Sequence, residues 1–204
     1  MPTPLVIRLP FPGVDRSWYT EVNHVARQTP WLHEVVRLYA LYGVVLFALL
    51  LLVAWWRARR SGSITRVSAS LWAPLGALLA LAVNQPLGRF VGERRPYDEI
   101  AHALVLVPRT TDFSFPSDHA VMAGAVAAGV LLVDRRLGLL ATLMALLMAF
   151  ARVYVGAHYP FDVIAGLLVG AVVTTLGWVV VRRPLRGLVG AVNRTPLRVL
   201  VAAR

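Results

Sequence analysis

Val36-Arg-Leu-Tyr-Ala-Leu-Tyr-Gly-Val-Val-Leu-Phe-Ala-Leu-Leu-Leu-Leu-Val-Ala-Trp-Trp56 carries its one charge at Arg37 and runs straight into Arg57, Arg59 and Arg60. A hydrocarbon core about 30 Å thick is crossed by about 20 predominantly apolar helical residues. The stretch therefore reads as a membrane-spanning helix ending in a basic turn. Four more apolar stretches follow at Leu71–Phe90, Ser117–Val133, Leu137–Arg152 and Pro160–Val181. The third and fourth spans are short for helices that face lipid, so they are expected to sit centrally or to have their polar ends shielded by neighbours. Composition agrees: 58% of the 204 residues are hydrophobic and 15% are charged, against about 45–50% and about 25% in a soluble domain. The expected fold is an all-α integral membrane protein, one domain over residues 1–204 with five transmembrane helices in a 36–181 core.

Ahead of the core, residues 15–28 place Trp18, Val22 and Val25 at helical spacing, with Arg16, Asn23 and Arg27 between them. That pattern predicts an amphipathic helix too polar to span and suited to the interface, stopped at Pro30. Met1–Val14 has no apolar core of signal-peptide length, so no cleavable targeting segment is expected. Residues 182–204, rich in arginine and interrupted by Pro184 and Pro196, read as a cytoplasmic basic tail.

The formal charge is +11, and all 21 basic residues are arginine. A nucleic-acid binder would gather such charge on a soluble face; here the arginines fall between apolar runs, so no nucleic-acid partner is expected. Arg57, Arg59, Arg60 and Arg66, then Arg135 and Arg136, then Arg182, Arg183 and Arg186 share one face of a five-span chain, and arginine-rich short loops mark the cytoplasmic side. Cysteine is absent, which excludes disulfides and thiol chemistry. Gly166-x-x-x-Gly170 permits close helix contact; packing within the chain is the plainer reading than dimerisation, and the oligomeric state is left open.

The opposite face carries three polar clusters: Arg89-Phe-Val-Gly-Glu-Arg94-Arg95-Pro96-Tyr97, Phe115-Pro116-Ser117-Asp118-His119, and Ala151-Arg152-Val-Tyr-Val-Gly-Ala-His158-Tyr-Pro160-Phe-Asp162. Ionisable groups at membrane-helix ends are costly and point to function. Guanidinium forks match phosphate oxygens, paired histidines divide covalent and acid–base work, and a nearby carboxylate fixes a histidine tautomer. Ser117 opens a span, where free N–H groups favour an anion. A zinc site built from His119, His158 and Asp162 is disfavoured by the adjoining arginines, so neither metal nor cofactor is expected. Taken alone, Arg152, His158 and Asp162 also fit a structural ion-pair network.

In order and spacing, the three clusters resemble the type 2 phosphatidic acid phosphatase signature, K-x6-R-P, P-S-G-H and S-R-x5-H-x3-D, over about residues 89–162. The resemblance implies that His158 attacks phosphorus and forms a phosphohistidine, that Asp162 orients it, and that His119 protonates the leaving oxygen and then activates water. It implies that Arg95, Arg152 and Ser117 hold phosphate oxygens. Three departures stand out. Gly88 occupies the lysine position, with Arg89 or Arg94 as its substitute; Asp118 replaces the glycine and joins the phosphate-binding candidates with Arg89; Ala151 replaces the serine. P-S-D-H and the pattern around Asn23-His24 and Pro30-Trp31-Leu32 resemble the subgroup acting on undecaprenyl diphosphate. The resemblance thus implies a multi-pass protein of a bacterial plasma membrane, its site facing outward, hydrolysing a lipid phosphate or diphosphate. Rival readings are a phosphatidylglycerol-phosphate or phosphatidic acid phosphatase, a lipid phosphotransferase, and a non-catalytic transporter or lipid-binding protein.

Overall fold

The structure is a computed structural model that describes residues 12–202. The expectation for Met1–Val14 falls largely on residues 1–11, outside the described residues. Among the described residues seven helices run in order: α1 (Pro12–Gln28), α2 (His33–Arg60), α3 (Ile64–Val91), α4 (Pro96–Glu99), α5 (Asp118–Val133), α6 (Arg135–Tyr154) and α7 (Pro160–Val192), with 3₁₀ turns at Pro30–Leu32 and Pro196–Leu200. Among the described residues there is no strand.

Four helices, α2, α3, α6 and α7, are long and apolar enough to cross a membrane, and α5 is a shorter apolar helix of 16 residues. At 1.5 Å per residue α5 spans about 24 Å, less than a bilayer core. Its central place resolves that mismatch, because α5 packs against α2, α3, α6 and α7. A wall of alanine and glycine makes this approach possible: a Cβ on Gly170 would lie 2.0 Å from the Val121 carbonyl oxygen, and one on Gly124 would lie 2.3 Å from that of Leu167. The glycine spacing of α7 thus serves packing inside the chain. By contrast α6 keeps an exposed stripe at Leu139, Leu143, Leu146 and Leu147.

Caps set the helix ends. Asp134 accepts from the backbone N–H groups of Arg136 and Leu137 at the start of α6 and pairs with Arg57 at 3.0 Å. That ion pair joins the last turn of α2 to the α5–α6 turn at the arginine-rich end. Pro184 does not end the last span: α7 continues through it to Val192. Proline removes one donor and disturbs one turn, while Leu185, Val189 and Val192 beyond it pack on the main core. Residues 182–192 are therefore a helical extension, and the tail proper is shorter than the sequence suggested.

Helix α1 forms as expected, but its polar side faces the protein. Asn23 is buried and brackets Leu104, donating to its carbonyl at 2.8 Å and accepting from its N–H at 3.0 Å. Arg16 donates to the Glu99 carbonyl at 3.0 Å and Arg27 to that of His102. Trp18 and Val25 remain exposed on the outer side. The reason is local: the loop from Ile100 to Ser117 has carbonyls to satisfy, and α1 supplies the donors.

Candidate active site

The non-arginine-rich end of the bundle holds the turn Gly92–Arg95, the Ile100–Ser117 loop and the turn Val155–Tyr159. Gly156 adopts φ 79°, and a Cβ there would lie 2.2 Å from the Leu104 carbonyl oxygen. Only glycine lets this turn pass beneath the loop, and two residues later the turn presents His158. The loop is stitched to both neighbours, with Leu106 N donating to Val155 O at 3.0 Å and Ser114 N to Glu93 O at 2.9 Å.

His158 is 2% exposed. Its Nδ1 lies 2.9 Å from the Ser114 carbonyl oxygen, an acceptor, so Nδ1 carries the proton. Its Nε2 lies 3.2 Å from Arg95 Nη1, a donor, so Nε2 presents a lone pair. Two independent contacts therefore fix one tautomer. Burial holds the imidazole below its ordinary histidine range; its hydrogen bond to Asp162 works the other way without overturning it. The ring is neutral, with the Nε2 lone pair turned toward Arg95.

Asp162 is fully buried at the third position of α7. Its Oδ2 accepts from Tyr159 N at 2.8 Å and from Ser114 Oγ at 2.5 Å, and lies 3.5 Å from His158 Nδ1. The expected His158–Asp162 pair is present but loose. Ser114 stands between them, its carbonyl on the imidazole and its hydroxyl on the carboxylate. Sequence reading missed Ser114; its one signal is a second serine three residues ahead of Ser117 in Ser114-Phe-Pro-Ser117.

Arg95, His119, Arg152 and His158 line a single cavity of about 240 Å³, together with Asp112 and Asp118. The two histidines, from α5 and from the turn before α7, thus share one space. Arg95 is 6% exposed, and its Nη2 pairs with Asp112 Oδ2 at 2.9 Å. Desolvation alone would raise Asp112, but the hydrogen bonds from Thr110 and Arg95 outweigh it and hold that carboxyl below its usual range. Arg152 differs. It is 7% exposed, its Nη1 reaches only the Ala40 carbonyl at 3.4 Å, and its Nε has no partner among the described residues. A buried cation with idle donors facing a cavity is arranged for an anion.

Of the remaining sequence candidates, Ser117 and Arg89 lie outside this cavity and Asp118 at its wall. Ser117 is buried with its Oγ unpartnered among the described residues, and it does not line the cavity; its N–H donates to the Asp162 carbonyl at 3.1 Å. Arg89 is exposed and lines an adjoining cavity of about 250 Å³, which shares Asp112, Phe113, Pro116 and Asp118 with the first. Gly88, at the lysine position of the signature, lines that second cavity too, and Arg94 is exposed. Asp118 stands at the common wall, accepting from Asn84 Nδ2 at 2.7 Å and from Gln85 Nε2 at 3.3 Å. Asn84 and Gln85 were not anticipated, since they lie inside an apolar span.

Comparison with known proteins follows this geometry. The family model described as PAP2 superfamily matches residues 69–186, which hold every residue named in the cavity. The chain is 33% identical over 133 residues to undecaprenyl-diphosphatase BcrC of Bacillus subtilis (strain 168), covering 65% of this chain and 66% of that protein, just under two thirds of its length. It is 39% identical over 104 residues to the decaprenylphosphoryl-5-phosphoribose phosphatase of Mycobacterium tuberculosis, covering 50% of this chain and 56% of the relative. In fold it is similar to the crystal structure of the first transmembrane PAP2 type phosphatidylglycerolphosphate phosphatase from Bacillus subtilis, at TM-score 0.63 and 21% identity over 89% of each chain. With a matched segment reaching from α3 into α7 and including all three polar clusters, the chain belongs to the PAP2 superfamily.

Proposed function

We propose that the protein hydrolyses a polyprenyl-linked phosphate or diphosphate, with undecaprenyl diphosphate as the foremost substrate, through a phosphohistidine on His158. The observation that carries this reading is the unprotonated Nε2 of His158, buried beside Arg95 in the cavity that it shares with His119 and Arg152. Both relatives described above are named for polyprenyl phosphates, which favours this substrate class over phosphatidic acid and phosphatidylglycerol phosphate.

In the first step the Nε2 lone pair forms a bond to the terminal phosphorus, and the bond from phosphorus to the leaving oxygen breaks. His119 supplies the proton that the departing lipid-side oxygen takes up. Developing negative charge on the equatorial oxygens is met by Arg152 and Arg95, the latter exchanging Asp112 for substrate. The imidazolium-like phosphohistidine keeps its Nδ1–H on the Ser114 carbonyl, with the Asp162 charge behind it. In the second step His119 takes a proton from water, the water oxygen bonds to phosphorus, the N–P bond breaks, and inorganic phosphate leaves. Preorganised donors in a buried site make such charge stabilisation strong. The cavity end lies opposite the arginine-rich turns, and the arginine rule then puts the reaction on the outer face of the membrane.

The test is phosphate release by purified protein from a panel of undecaprenyl diphosphate, undecaprenyl phosphate, phosphatidylglycerol phosphate and phosphatidic acid, without added acceptor. Expected are preference for the polyprenyl substrates and an acid-labile, base-stable phosphoenzyme that His158→Ala lacks. Turnover by His158→Ala, or release only with an acceptor present, would overturn the reading.

A further inference from the structure

Two buried oxygens behind the nucleophile have no donor. Asp162 Oδ1 and Glu93 Oε2 are both enclosed, and neither finds a hydrogen-bond partner if both residues are carboxylates. The two side chains lie within hydrogen-bonding contact of each other. Glu93 is held there by its own backbone, because its carbonyl accepts from Ser114 N at 2.9 Å. The segment that orients His158 is therefore pinned to the residue carrying the second carboxyl.

Two carboxylates in contact and out of water do not both stay ionised; one proton between them removes the repulsion and satisfies both orphaned oxygens. The partners decide where it resides. Asp162 receives Ser114 Oγ and Tyr159 N on Oδ2, with His158 Nδ1 nearby, all of which stabilise its anion. The Glu93 side chain receives no such donors among the described residues. The other acids on this side, Asp15 and Glu99, add negative charge, and Arg95 points into the cavity toward Asp112.

We infer that Glu93 is a protonated carboxylic acid donating its hydrogen bond to Asp162 Oδ1, and that it acts as a positioning residue for the Asp162–Ser114–His158 array. It touches neither substrate nor the reacting atoms. Its donation gives Asp162 Oδ1 a partner, so the carboxylate has one orientation and Ser114 keeps its carbonyl on the imidazole. The kinetic part of this inference rests on His158 being the nucleophile; the proton itself does not.

Glu93→Gln keeps a donor in place without an ionisable proton, whereas Glu93→Ala removes the donor. Infrared spectra of the parent in H₂O and D₂O should show a protonated-carboxyl C=O stretch that shifts on exchange and is missing from Glu93→Gln. On the best lipid substrate, Glu93→Ala should lose about ten- to a hundredfold in kcat, the factor a charge-assisted hydrogen bond corresponds to, with KM nearly unchanged. Glu93→Gln should restore kcat to within about threefold of the parent. The inference is overturned if the two variants fall equally, if the loss lies in KM, or if no protonated-carboxyl band disappears in Glu93→Gln. A parent without activity on any lipid phosphate would sink the proposed function, yet the infrared band would still decide the proton.

Discussion

Replacing Arg152 with methionine should make the protein more stable and nearly inactive. The side chain is 7% exposed, has one weak contact at 3.4 Å, an unpartnered Nε, and no carboxylate within ion-pair reach among the described residues. An unmade buried donor costs about 1–3 kcal/mol, and exchanging a poorly compensated buried charge for an apolar group of similar volume is often stabilising by about 1–4 kcal/mol. For a chain of this length each kcal/mol moves Tm by about 2–4 °C, so Arg152→Met should melt several degrees above the parent in phosphate-free detergent buffer. Its kcat/KM should fall by at least about a hundredfold, since the guanidinium meets charge that builds in the transition state. Orthovanadate should raise the Tm of the parent by mass action and leave that of the variant unmoved. A variant that melts below the parent would refute the reasoning, because Arg152 would then be a structural cation and not one reserved for an anion.

Three other outcomes follow from the same geometry. Ser114→Ala removes the 2.5 Å bond to Asp162 but keeps the carbonyl on His158; kcat should drop about ten- to a hundredfold with KM little changed, as steady-state kinetics will show. Gly170→Ala would place a Cβ 2.0 Å from the Val121 carbonyl oxygen, so it should force α7 off α5 and reduce both the yield of monodisperse protein and its Tm. Burial raises Asp15 from 3.8 to about 6, with the Phe161 N–H pulling the other way. A raised carboxyl pKa favours the protonated folded state, and that stability is lost as pH rises through this window. The Tm difference, Asp15→Asn minus parent, should therefore grow more positive between pH 4 and pH 7 in a thermal scan; a constant difference would refute the coupling.

Much of this was legible in the chain itself. The apolar runs and arginine-rich turns located the spans, and Arg152-x5-His158-x3-Asp162 sets the histidine and its carboxylate one helical turn apart across a helix start. What the sequence hid was long-range. Nothing local says that the backbone carbonyl of Ser114 fixes the His158 tautomer, since a carbonyl leaves no trace in residue identity. Arg89 was offered, with Arg94, as a substitute for the signature's lysine; from the last turn of α3 it lines the adjoining cavity. Asn84 and Gln85 looked like blemishes in an apolar span until α5 brought Asp118 against them. Residues 182–204 read as a basic tail because local composition does not show the packing of Leu185 and Val189 that carries α7 onward through Pro184.

The bonds from α1 to the loop above the cavity all end on main-chain atoms: the carbonyls of Glu99 and His102, and both polar groups of Leu104. Fastening of this kind is blind to side-chain identity. Side chains at positions 99, 102 and 104 can therefore change without costing Arg16, Asn23 or Arg27 a partner, so the hold of α1 on this loop tolerates substitution there.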